Sequence, residues 1–283
     1  MDFTLALAQI KPKLGCVHDN LEQITRSVQQ AIDGGAHLVL FPELALTGYF
    51  LKDLVPDVAL TLDSKEIRTL VDLSRHISIA IGCVEVTGDY RFYNTALYLE
   101  AGEIRHCHRK VYLPTYGMFD EQRYLAAGDR FRAFDSRFGR LGMLICEDMW
   151  HLSASYLLAM DGATTLLCLS SSPARGVSNE ADLGSSRAWQ QLTSTTAMFL
   201  NCRVAYCNRV GCEDGVTFWG GSELLDPAGR VVVRGKILDE DFLLASADEG
   251  ALRRERIFSP LMRDENLALT CRELTRIDHE RGR

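Results

Sequence analysis

The chain has 283 residues, a formal net charge of −7 and no run of Lys or Arg longer than two. Phosphate binding needs a concentrated basic face, so a nucleic-acid partner is excluded. With 47% hydrophobic and 24% charged residues the composition is that of a globular protein, and no stretch approaches the ~18 uncharged apolar residues of a membrane span.

Residues 3–10 alternate around apolar positions and read as a first strand. Asp19 and Asn20 offer N-caps to a helix carrying Leu21, Ile24, Val28, Ala31 and Ile32 at 3–4 spacing, which Gly34-Gly35 ends. His37-Leu38-Val39-Leu40-Phe41 is a second, buried strand, stopped at Pro42 because proline cannot donate to a ladder. A loop rich in Gly, Pro and aromatics follows over 47–56. Asp63 with Glu66 has the spacing of a capping box, and Ile67, Leu70, Val71 and Leu73 give the next helix an apolar face. Residues 78–87 and 92–100 read as a hairpin on Gly88-Asp89, and Gly102 turns the chain into a strand over 104–110.

The long aromatic stretch 111–128 reads as an ordered loop, and such loops in compact domains tend to carry function. A hairpin around Gly139 follows, its second strand over 141–145 ending at Cys146. Next come a helix from Ser153, a strand over 164–169, a loop over 170–184, a helix over 185–200 and a strand over 203–208. A hairpin over 217–225 and 230–234 precedes a last strand over 242–247. Beyond Ala251 the chain is charged and reads as a short helix with an extended tail. No composition shift marks a linker. The mixture of strand–helix alternation with hairpins predicts α/β architecture with mixed sheets in a single domain.

Nine cysteines, an odd number with no C-x-x-C pair, give no disulfide framework and no structural metal. The N-terminus has neither a basic n-region nor a long apolar h-region, so a reducing cytoplasm is the expected location.

Glu43, Lys110 and Cys146 share a feature: each closely follows an apolar strand. In layered α/β folds strand ends converge on one edge, where ligands bind. A thiol becomes a nucleophile as thiolate. A carboxylate can take its proton and return it to a leaving amine, and an ammonium can steady the oxyanion of a tetrahedral intermediate. Together they describe acyl transfer through a thioester. The histidine of a Cys–His pair is missing, because His106 and His108 alternate along a strand and are expected to face outward. Taken singly, Glu43 reads equally as a loop carboxylate and Lys110 as a solvated strand end.

Three segments carry a family resemblance: Phe41-Pro42-Glu43-Leu44-Ala45-Leu46-Thr47-Gly48-Tyr49, His108-Arg109-Lys110-Val111-Tyr112-Leu113-Pro114 and Leu144-Ile145-Cys146-Glu147-Asp148. In that order they resemble the signature segments of the nitrilase superfamily of carbon–nitrogen hydrolases. The resemblance implies a four-layer α-β-β-α sandwich over residues 1–250, usually dimerised, without metal or organic cofactor. It makes 251–283 a C-terminal extension that packs at a dimer interface. It implies Glu43 as general base, Lys110 as oxyanion stabiliser, Cys146 as nucleophile and Glu121 as the additional glutamate that orients the lysine.

Residues 113–121 are most similar to the glutaminase domain of glutamine-dependent NAD synthetase. On that likeness Tyr49, Tyr116, Phe119, Glu147, Ser172 and Arg175 are candidate substrate contacts, with Arg175 displaced from the family spacing of the carboxylate-holding arginine. The chain shows no ATP-pyrophosphatase segment. The leading expectation is therefore a free-standing amidase, hydrolysing a small carboxamide to acid and ammonia and forming a homodimer or higher homo-oligomer. A nitrilase acting on a small nitrile, a glutaminase subunit passing ammonia to a separate synthetase, and a non-hydrolytic binding subunit stand as alternatives.

Overall fold

The structure, a computed structural model, describes residues 2–175, 177–178 and 182–282. In chain order its strands are β1 (Phe3–Gln9), β2 (Leu38–Leu40), β3 (Ser78–Val86), β4 (Phe92–Glu100), β5 (Glu103–Arg109), β6 (Phe134–Ser136), β7 (Gly139–Ile145) and β8 (Thr165–Ser170). They continue as β9 (Val177–Ser178), β10 (Asp182–Leu183), β11 (Arg203–Asn208), β12 (Val210–Glu213), β13 (Val216–Trp219), β14 (Glu223–Leu225), β15 (Val231–Arg234) and β16 (Asp241–Ala247). The helices are α1 (Val17–Asp33), α2 (Val55–Val58), α3 (Lys65–Leu73), α4 (Glu121–Tyr124), α5 (Leu152–Met160), α6 (Gly184–Leu200), α7 (Glu249–Phe258), α8 (Leu261–Asp264) and α9 (Leu267–Arg281).

Alternation along the strands decides the layering. Phe3, Leu5 and Leu7 of β1 enter a core shared with Met143, Ile145, Leu167 and Leu169 of the opposite sheet. Ala6 and Ala8, on the other face, enter a core with Ile24, Val28 and Ala31 of α1 and Ile67 and Leu70 of α3. Likewise Leu144, Leu166 and Val204 turn outward against Ala154 and Leu158 of α5 and Trp189 of α6. A strand buried on both faces reads as a continuous apolar run, which is why β2 and β7 stand out in the sequence. Each fully buried Leu or Ile contributes roughly 1.5–3 kcal/mol of burial.

The two large sheets run β16-β1-β2-β3-β4-β5 and β15-β14-β11-β8-β7-β6. Read from β16 and from β6, their neighbours pair antiparallel, parallel, parallel, antiparallel, antiparallel in both cases. One half thus carries Glu43 three residues past β2 and Lys110 directly after β5, and the other carries Cys146 directly after β7. This is the α-β-β-α sandwich with two mixed sheets expected from the sequence.

Local details differ. Asn20 is not a cap: α1 begins at Val17, and the buried Asn20 amide instead ties Lys13 to the carbonyl of Leu46. Ser64, not Asp63, caps α3, because its hydroxyl accepts from Ile67 N. Gly220 and Gly221, both at positive φ, break the stretch 217–225 into β13 and β14. The tail beyond Ala251 is helical rather than extended. α7 begins at Glu249 and is anchored by buried Leu252, and α9 is a 15-residue helix with no buried residue. Among the described residues, no helix is long and apolar enough to cross a membrane.

Candidate active site

Glu43 lies three residues beyond the end of β2 and is fully buried. Its backbone lies so close to β3 that a Cβ on Gly82 would sit 2.5 Å from Leu44 N, so only glycine fits there. Oε1 of Glu43 accepts from Lys110 Nζ at 2.8 Å and Asn94 Nδ2 at 2.7 Å. Oε2 accepts from the backbone N–H of Ser171 at 2.8 Å, leaving that oxygen with a further acceptor site.

Lys110 is 1% exposed. Its backbone is fixed on both sides, N–H to Asn94 O at 2.8 Å and C=O from Gly128 N at 2.7 Å. Besides Glu43, its ammonium donates to Glu121 Oε1 at 2.7 Å, and Tyr49 donates its hydroxyl to the same oxygen. Burial works against the Lys110 charge, but Glu121 and Glu43 overcome it and hold the ammonium well above its usual range. Burial pushes the Glu121 carboxyl up to about 7, with Lys110 opposing and Glu43 reinforcing the shift. Tyr49 is likewise raised by burial, and stays a neutral donor.

Cys146 opens a 3₁₀ turn, Cys146–Trp150, at φ +45°. That left-handed conformation costs a non-glycine residue roughly 1–2 kcal/mol and turns the thiol sharply out of the strand. Sγ accepts from Ser170 Oγ at 3.5 Å. Burial, then the negative charge of Glu43, push the thiol above its usual range; Lys110 and the Ser170 hydroxyl pull the other way. The resting sulfur is therefore a protonated thiol with a carboxylate beside it.

A cavity of about 240 Å3 opens on Cys146, lined among others by Tyr116, Phe119, Glu147, Trp150, Ser172, Arg175 and Trp189. Tyr116 donates to Glu147 Oε2 at 2.8 Å. Arg175 lies 4.7 Å over the Phe119 ring, and its Nε and Nη2 are buried without a hydrogen-bond partner among the described residues. Ser172 Oγ accepts from the indoles of Trp189 and Trp219 at 2.8 and 3.2 Å. Tyr49, expected among the substrate contacts, lies elsewhere: it reaches Glu121 and lines a separate small apolar cavity with Leu51 and Tyr124. Glu147 sits in the same turn as Cys146.

The outward orientation expected of His108 is also corrected. It is 3% exposed and bonded to buried Asp148, because β5 turns that position toward the second sheet. Its neighbour His106 is half-buried, stacked on Phe134 at 4.2 Å between centroids. No three His, Cys, Asp or Glu among the described residues converge as a metal site. Asn94, Ser170, Ser171 and Asp148 were missed in the sequence. Only a polar residue inside an apolar strand, as at Asn94, offered any signal.

The structure thus places a buried Glu43–Lys110–Glu121 chain near Cys146, onto which a small cavity opens. Residues 4–254 match the family described as carbon-nitrogen hydrolase. The chain belongs to that family and is a carbon–nitrogen hydrolase. It is 33% identical to a glutamine-dependent NAD(+) synthetase of Synechocystis over 94% of its own length and 50% of the relative's. It is 29% identical to a probable nitrilase of Schizosaccharomyces pombe, covering 85% of this chain and 86% of that one. A carbon-nitrogen hydrolase of Helicobacter pylori shares the fold with a TM-score of 0.84 at 22% identity, over 94% and 96% of the two chains. The chain spans about half the length of the NAD(+) synthetases it matches.

Proposed function

We propose that this chain hydrolyses a small carboxamide to the acid and ammonia through a thioester on Cys146. The observation that carries this is the single ammonium of Lys110 shared between Glu43 and Glu121, near the Cys146 thiol onto which the cavity opens. A protonated thiol needs a base at the moment of attack. Glu43 supplies it from Oε2, whose one protein donor among the described residues is Ser171 N–H.

Sγ attacks the carboxamide carbon as Glu43 takes the thiol proton. The carbonyl oxygen becomes an oxyanion stabilised by Lys110 and the backbone N–H of Glu147. The intermediate collapses, the C–N bond breaks, and Glu43 protonates the leaving ammonia. Glu43 then takes a proton from water, which cleaves the thioester. The carboxylic acid leaves and the proton returns to sulfur. Glu121 holds Lys110 in place throughout.

The cavity suggests a substrate class. Arg175 offers buried N–H donors suited to a carboxylate, and Glu147 with Tyr116 offers acceptors suited to an ammonium. An amino acid carrying an ω-amide, glutamine among them, fits a volume of about 240 Å3. The similarity to NAD(+) synthetases favours a second role, glutaminase subunit donating ammonia to a separate synthetase. The likeness to the probable nitrilase favours a nitrile as alternative substrate. The free thiols, exposed at Cys16, Cys212 and Cys271, agree with a cytoplasmic location, and we read the chain as a homo-oligomer. The test is ammonia and acid release from a panel of ω-amides, simple amides and matched nitriles. Release from nitriles with none from amides would overturn the amidase reading.

A further inference from the structure

We propose that Asp148, braced by His108, is the positioning residue that registers Lys110 against Cys146. Lys110 and Cys146 stand on different sheets, and no ladder hydrogen bond joins β5 to β7. Apolar packing between the sheets is non-directional, so it does not by itself fix an ammonium against a sulfur to the fraction of an ångström that catalysis needs. Asp148 does. Fully buried, its Oδ1 accepts from Val111 N and Tyr112 N, both at 3.0 Å. Its Oδ2 accepts from Ile145 N at 3.1 Å and from His108 Nε2 at 2.8 Å. A carboxylate only accepts, so the histidine nitrogen is the donor.

These donors bracket the reacting groups. Val111 and Tyr112 directly follow Lys110, His108 lies two residues before it, and Ile145 directly precedes Cys146. One carboxylate therefore clamps the lysine segment to the cysteine turn and also holds that turn at its positive φ. Asp148 touches neither substrate nor the reacting atoms; it acts through the two segments it joins.

The test compares Asp148→Asn, His108→Gln and the double variant with wild type, by ammonia release from the best amide of the panel and by alkylation of Cys146 with iodoacetamide. In the alkylation Sγ displaces iodide while the thiol proton passes to Glu43, so it reports positioning without a known substrate. In Asp148→Asn the new side-chain amide presents N–H groups to donors. That variant is expected to lower kcat by about 100-fold with KM within about threefold. Cys146 alkylation should slow at least about tenfold relative to exposed Cys16. His108→Gln should give a smaller loss of the same kind, and the double variant no more than Asp148→Asn alone, because the histidine acts through the aspartate. If Asp148→Asn does not fold, His108→Gln, which leaves three backbone donors on Asp148, carries the test.

Wild-type kcat and alkylation in a folded variant, or a loss confined to KM, would overturn the inference. It rests on the reading of Cys146 as nucleophile. Ammonia release by Cys146→Ala breaks that reading, whereas an inactive Cys146→Ala beside a fully active Asp148→Asn breaks this inference alone.

Discussion

At Cys146 two physical costs meet: a left-handed backbone and a thiol pushed up by burial and by the charge of Glu43. Both fit a sulfur that stays inert until a carbonyl arrives and Glu43 removes its proton. Replacing Cys146 with alanine is expected to abolish ammonia release while leaving the circular dichroism spectrum unchanged; near wild-type turnover would sink the thioester mechanism. Glu121→Gln removes one of the two charges holding Lys110. Its expected effect is a loss of about 10²-fold in kcat with little change in KM, read from ammonia release under saturating amide. A loss in KM alone would place Glu121 at the substrate instead.

Single elements impose their own conditions. β3 passes so near the Glu43 backbone that Gly82→Ala must displace β3 or the Glu43–Leu44 loop. Overpacking of this kind costs typically 1–3 kcal/mol, so the variant should lose that much in urea denaturation and lose turnover with it. On β5, His106 is held down to about 4 by burial, with the nearby His108 adding to the effect. Its ordinary value is 6.5. Between those values the unfolded chain binds a proton that the folded one refuses, so stability falls as pH drops from about 6.5 toward 4. The contribution is at most roughly 3 kcal/mol. His106→Phe, which keeps the stack on Phe134, should shrink the stability difference between pH 7 and pH 4.5; an unchanged difference would assign the acid sensitivity to other groups.

At the scale of the whole molecule, the two halves repeat one strand pattern and divide the chemistry between them. Because no residue of α9 is buried, deleting residues 266–283 is expected to leave the unfolding midpoint of the sandwich and the ammonia release nearly unchanged. Light scattering on the same variant shows whether that helix sustains the proposed oligomer; a large fall in the midpoint of a monomeric variant would instead make α9 part of the core. The legible part of the site was its charged ends. Cys146 directly follows the apolar strand β7, Lys110 directly follows β5, and Glu43 lies three residues past the apolar β2, so strand ends visible in one dimension marked all three. Ser171 was not legible, since its partner Glu43 lies 128 residues away.

The sequence by itself determined the strands buried on both faces, the glycine-dependent turns and the residue types available for acyl transfer, because periodicity and turn chemistry are local. Tertiary structure alone decided which oxygens Lys110 touches, that His108 faces inward onto Asp148, that Tyr49 supports Glu121 rather than lining the cavity, and that the chain beyond Ala251 is helical. Those outcomes depend on how two sheets and their connecting loops pack at long sequence separation, where burial sets both the hydrogen-bond partners and the protonation of the groups it encloses.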